Sequence, residues 1–203
     1  MRVLVIGKYS TTKHGSTIVL LRLMADSWRS WPELVETLKI VLLCVAAGIL
    51  YGIIHDQITA RLCIEYFTVF HPPVFITHSP TLLGIGWGVI ATWWVGLLLG
   101  MWLALAARSG FRPKLPVVEM LRPIGKLLLV MASCAMIAGI TGFVLARRGV
   151  IVEPDWMVPA LVPSSYAGFI ADTCAHDVSY ATGLLGGATL CILQYRKRSQ
   201  SLS

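Results

Sequence analysis

Charge is what this chain lacks. Only 13% of its 203 residues are Asp, Glu, Lys or Arg, against about 25% in an average soluble domain. So few charges cannot cover a water-facing surface, and 56% of the residues are hydrophobic. Acidic residues are the scarcer sign, 10 against 17 basic, for a net charge of +7. The basic residues lie between apolar runs rather than interleaved with aromatics, which excludes a nucleic-acid surface and points to membrane topology. Alternating apolar and polar segments of roughly ten residues are missing, which rules out a β-barrel. Specific chemistries are missing too. No C-x-x-C pair is present for quinone-linked thiol oxidation, and no G-x-S-x-G setting for serine hydrolysis. There is no P-loop, and no histidine at a span centre that could ligate haem.

What is present is a set of continuous apolar runs. A membrane span needs about 20 apolar residues, and four candidates qualify. The first covers about Leu34 to Ile54, preceded by Ser30-Trp31-Pro32-Glu33, which reads as a capping box. The second, Thr81 to about Ala107, carries no charge and starts behind Ser79-Pro80. The third runs from about Leu121 to Ala146 and stops at Arg147-Arg148-Gly149. The fourth has a short apolar stretch, Val178 to Tyr195, and a polar first half if its helix begins as early as Ser164. The expected fold is all-α, a polytopic transmembrane four-helix bundle.

Lys and Arg set the orientation. All but Arg61, Arg147 and Arg148 fall in the N-terminal segment, the loop between spans two and three, or the tail. Both chain ends are therefore expected in the cytoplasm, with loops 55–80 and 147–177 outside. The expected division is a cytoplasmic arm over 1–30, a transmembrane domain over 31–196 and a cytoplasmic tail over 197–203. The first 23 residues lack the apolar core and cleavage site of a signal peptide. Their mixed composition leaves Met24 as an alternative natural start.

On this topology the polar residues gather on one side. His55, His71, His78 and His176 lie outside, as do Asp56, Glu65, Glu153, Asp155, Asp172 and Asp177. One His-Asp pair, His55-Asp56, ends the first span; another, His176-Asp177, opens the fourth. Helical spacing puts His55, Thr59 and Cys63 on one face, and Arg61 within i, i+4 reach of Glu65. Asp172 and His176 stand four apart, a spacing at which a carboxylate can orient an imidazole. Ionisable residues at membrane depth are costly and are functional candidates by default. The candidate site is His55, Asp56, Arg61, Glu65, His71, Asp172, His176 and Asp177, with Arg61 expected to hold the carboxylates together. A divalent metal is the candidate cofactor, with His55, His71, His176 and Asp172 as ligands, although no zinc motif is present. The bland reading is a solvated membrane-surface loop.

Cys44, Cys134 and Cys191 lie within spans and read as small packing residues. Cys63 and Cys174 fall outside, either as a disulfide or as two free thiols. Gly96-xxx-Gly100 and Gly183-xxx-Gly187 permit close helix approach, within the bundle or between protomers. Trp93 and Trp94 lie near mid-span and read as packing or lipid-facing residues.

The stretches "HDQITARLCIEYFTVFHP", "SPTLLGIGWGVIATWW" and "AHDVSYATGLLGG" resemble uncharacterised bacterial four-span integral membrane proteins over about residues 24–196. The resemblance implies a multi-pass inner-membrane protein and carries no assigned activity or catalytic residue. The expected function is a polar site at the outer face for ion, proton or metal handling. The alternative is a non-catalytic membrane subunit or scaffold. Expected partners are the lipid bilayer and, through the glycine-rich helices, other membrane proteins or a second copy, with no nucleic acid.

Overall fold

The structure, a computed structural model, describes residues 13–152, 161 and 163–200, with side chains from residue 31 onward. It is helical throughout, and no strand occurs among the described residues. Helix α1 spans Lys13–Leu62, the short α2 Ile64–Thr68, α3 Pro80–Arg108, α4 Val118–Arg147 and α5 Tyr166–Gln200, the last entered through a 3-10 turn at Pro163–Ser165. The chain divides into two units, residues 1–36 and 37–203. In the first, the described residues 13–36 are helical. The second holds everything that follows.

Three helical segments are long and apolar enough to cross a membrane: Trp31–Leu62, Pro80–Arg108 and Val118–Arg147. Their large apolar side chains point outward as often as inward. Leu42, Leu129 and Ile137 are each more than 60% exposed, an arrangement that suits lipid as the solvent rather than water.

Several boundaries depart from expectation. The Ser30 capping box is not a helix start, because α1 begins at Lys13 and Pro32 lies inside it. At its other end α1 does not stop at Ile54 but continues to Leu62, where Cys63 turns extended at φ −149°, ψ 100°. Residues 55–62 contain no proline or glycine, so nothing ends the helix earlier. His55 and Asp56 therefore sit about two turns inside the helix rather than at its mouth. Helix α3 starts as expected behind Ser79, whose Oγ accepts from the Leu82 N–H. At the end of α4, Gly149 takes the left-handed conformation (φ 70°) and its N–H bonds the Ala146 carbonyl, a cap only glycine supplies without strain. Helix α5 runs on to Gln200, so residues 197–200 are helix and not a free tail.

Glycines bring α1 and α3 together. A Cβ on Gly88 would lie 2.5 Å from the Ile53 nitrogen, and one on Gly96 2.7 Å from the Cys44 carbonyl oxygen. Gly100 lies against Val41 and Cys44 in the same way. Helix α5 packs on both α3 and α4, with Gly183 against Met131 and Gly187 against Leu99. Gly168 near its start fits under the Leu62 carbonyl at the end of α1. Leu62, Pro80, Arg147 and Tyr166 thus mark one end of unit two, called here the upper end.

The lower end is closed by an apolar cluster of Ile40, Leu103, Ala104, Ala107, Leu115, Met120, Ile124 and Leu190. Below it, Arg198 is fully buried and donates to four backbone carbonyls, those of Ala106, Ser109, Arg112 and Pro113. Arg108 adds a bond to the Leu115 carbonyl, and Arg112 lies over the Tyr195 ring at 4.2 Å. The last turns of α5 thereby tie down the loop between α3 and α4.

A candidate metal centre near the upper end

Helices α1 and α5 run in opposite directions, and their polar residues meet. His176 is 9% exposed, Asp56 4% and Asp172 0%. His176 Nε2 lies 3.2 Å from Asp56 Oδ1. Its Nδ1 lies 2.8 Å from the backbone carbonyl of Asp172, one turn earlier. A carbonyl only accepts, so Nδ1 carries the proton and donates. When the ring is neutral, Nε2 then presents a lone pair to a carboxylate oxygen. The contact is repulsive unless a proton or a cation lies between the two atoms.

His55 faces the same point. Its ring stands edge-on to that of His176, with centroids 4.5 Å apart. Its Nε2 is buried without a hydrogen-bond partner among the described residues. One ligand atom from each of His55, Asp56 and His176 lies within 4.8 Å of the others. Zinc–nitrogen bonds of about 2.0–2.1 Å set tetrahedral ligands roughly 3.3 Å apart, so the group would have to draw in slightly around an ion. Both carboxylate oxygens of Asp172 are also buried without a partner among the described residues. Asp56 thus stands with two imidazoles, while the Asp172 carboxyl is buried one turn before His176, and an unpaired buried charge is costly.

Around this centre lies a shell that spacing alone did not bring out. Tyr51, one turn below His55 on α1, hydrogen-bonds Ser179, which is three residues beyond His176 on α5. The i, i+4 step from Tyr51 to His55 was a usable signal. Above the centre, α2 folds over α5. The Tyr66 ring stacks on His176 at 4.7 Å, and Phe67 approaches it at 6.0 Å.

Other expected members stand elsewhere. His71 is held by its Nδ1 on the Tyr66 carbonyl, and its ring meets Trp87 at 4.7 Å; it lies outside the three-residue group. Arg61 does not bind the carboxylates. It is exposed and bonds Gln57 and the Thr81 hydroxyl. The Arg61–Glu65 pair fails because the helix breaks at Cys63, so the i, i+4 geometry no longer exists. Glu65 instead accepts from Ser165 Oγ at 2.9 Å and from Cys63 Sγ at 3.3 Å. Burial alone would raise its pKa, but its own backbone N–H, Ser165 and Cys63 outweigh that and hold the carboxyl below its usual range. The Asp172 carboxylate does not orient His176; its backbone carbonyl does. Asp177 is exposed. The candidate Cys63–Cys174 disulfide is not formed. Both thiols are free, Cys63 engaged with Glu65 and Cys174 packed against Gly142. Burial pushes the Cys63 thiol up to about 12. Glu153 and Asp155 lie outside the described residues.

Below His55, Asp56 and His176 a partly open cavity of about 110 Å³ extends between the helices. Its polar lining ends at Thr92 and Ser179, and farther down it is walled by Leu99, Leu103, Ile124, Leu127 and Leu190. No protein family matches the chain, and neither a curated protein nor a solved structure is found similar to it.

Proposed function

We propose that this is a multi-pass protein of a bacterial inner membrane that binds a divalent metal ion at its outer face through His55, Asp56 and His176. In this reading α5 is a fourth span. Its exposed Leu184, Leu185, Ile192 and Leu193 suit lipid, while the buried polar residues that lower its hydropathy face the bundle. The clustering of Lys and Arg in the N-terminal segment, the α3–α4 loop and the tail supports cytoplasmic chain ends. The upper end then faces outward.

The observation that carries the metal reading is the hydrogen bond from His176 Nδ1 to the Asp172 carbonyl, which turns Nε2 toward Asp56. Metal-ligating histidines almost always hold their other ring nitrogen in this way. A single shared proton would satisfy the His176–Asp56 contact alone. A divalent cation also satisfies the Nε2 of His55, which has no partner among the described residues, and offsets the buried Asp56 carboxylate. Two imidazoles and one carboxylate suit zinc or ferrous iron and leave coordination positions open. Transport across the membrane is less well supported, because the apolar lower cluster interrupts the polar path. A scaffold role loses its main support as well. Gly96, Gly100, Gly183 and Gly187, which would have served other proteins, are engaged within this chain.

Elemental analysis of protein purified without chelator tests the reading. One zinc or iron per chain is expected, falling to background in His176→Ala while the variant stays folded. Metal-free wild-type protein would leave proton sharing between His176 and Asp56 as the better account.

A further inference from the structure

The candidate centre is filled on one side and hollow on the other. Above it the Tyr66 ring stacks on His176 at 4.7 Å, and Phe67 stands at 6.0 Å. Below it lies the partly open cavity of about 110 Å³. His55, Asp56 and His176 all line that cavity, as do Tyr51 and Gly52 one turn down α1. On α1 the lining reaches to Cys44, about 18 Å below Asp56 at the rise of an α-helix. An engineered apolar cavity of about 150 Å³ holds benzene or xenon. The space here is smaller and drawn out along a helix, so it is a narrow passage. It also suits water poorly, since a buried water needs two to four polar partners. The Tyr51 and Ser179 hydroxyls bond each other, and the Thr92 hydroxyl donates to the Gly88 carbonyl. Beyond them the wall is leucine and isoleucine, among them Leu99, Leu103 and Ile124. What fits is a small apolar molecule.

The donor set points the same way. Two imidazoles and one carboxylate with open positions are the ligands of non-haem ferrous centres that take dioxygen. We infer that the His55–Asp56–His176 centre holds ferrous iron and binds a diatomic gas of the dioxygen type, which reaches it through this cavity. The inference rests on the metal-centre reading and names both its metal and its ligand class. Zinc would use the same three donors, but its usual further ligand is water, which a dry apolar passage does not supply. Dioxygen dissolves more readily in hydrocarbon than in water, so the bilayer around the bundle is its reservoir.

The test uses the full chain, purified without oxygen, loaded with ferrous iron and mixed with nitric oxide as the stand-in for dioxygen. A stoichiometric high-spin iron–nitrosyl signal is expected by EPR. Ala47→Phe places a ring in the cavity about two turns below His55, clear of all three donors. It should slow formation of the signal about tenfold with iron content unchanged. Val95→Phe, which enters the same cavity from α3, repeats the test if the first variant loses its iron. Ala46→Phe, at the neighbouring exposed position outside the cavity, is the control and should leave the rate unchanged. Xenon binding to metal-free protein reads the cavity by itself. It should saturate in the wild type and be lost in Ala47→Phe. No xenon binding, or equal nitrosyl rates in wild type and both cavity variants, overturns the passage. Bound iron without a nitrosyl signal, or a centre that takes only zinc, overturns the inference and leaves the metal reading standing. A chain that binds neither metal defeats both.

Discussion

At the scale of single residues, the environment changes what a side chain can do more than its identity does. Cys63 is 2% exposed, and burial pushes its thiol to about 12. Thiolate is the reactive form, and burial disfavours it. Cys63 should stay unmodified by an impermeant maleimide in the folded protein and react fully once the protein is denatured. Rapid labelling of the folded protein would mean that α2 does not cover it. Arg61 shows the opposite case. The sequence suggested a buried clamp, but its guanidinium bonds an exposed amide and a hydroxyl. Exposed contacts of that kind are worth about 1 kcal/mol or less, so its loss should be tolerated. Residue type and spacing could bring His55, Asp56 and His176 forward as candidates. They could not say that a backbone carbonyl, rather than the Asp172 carboxylate, holds His176, because that depends on rotamers set by tertiary packing.

At the scale of elements, the α1–α3 crossing depends on glycine where backbones touch. Gly88 has no space for a Cβ beside Ile53, whereas Gly125 on the exposed face of α4 has nothing within 4 Å. Gly88→Val should destabilise the protein by more than about 2 kcal/mol. Gly125→Ala should be neutral or stabilising by about 0.5–1 kcal/mol. Thermal unfolding in a fixed detergent separates them, and equal midpoints for both variants would contradict this packing. The Gly96-xxx-Gly100 spacing was readable as a contact motif. Its partner was not, since the motif fits any smooth helix face equally well.

At the scale of the whole molecule, one side chain locks the lower end. Arg198 reads as one of several positive charges in a tail, yet it is buried and satisfies four carbonyls around the α3–α4 loop. Each acceptor left without a donor costs about 1–3 kcal/mol. Arg198→Ala should therefore destabilise the protein far more than Arg196→Ala, whose side chain is exposed. Arg198→Lys should not restore stability, because a compact ammonium cannot reproduce the fork of a guanidinium. Protease sensitivity of the loop at Lys114, compared across the three variants, reads the effect. Equal resistance in all of them would show that the loop holds without the clamp.

The sequence by itself determined the class of this protein. Low charge and long apolar runs leave only membrane-crossing helices, since a span must satisfy its backbone internally. It also determined where helices α3 and α4 lie, because prolines, glycines and arginines mark their ends. The tertiary structure decided where α1 stops, that α2 folds over the centre, and that Arg198 is a clamp. It also decided which three of eight polar candidates converge. Local patterning records what each segment can bury. Which polar atoms are left facing one another is a property of helices in contact, and that is where the candidate metal centre arises.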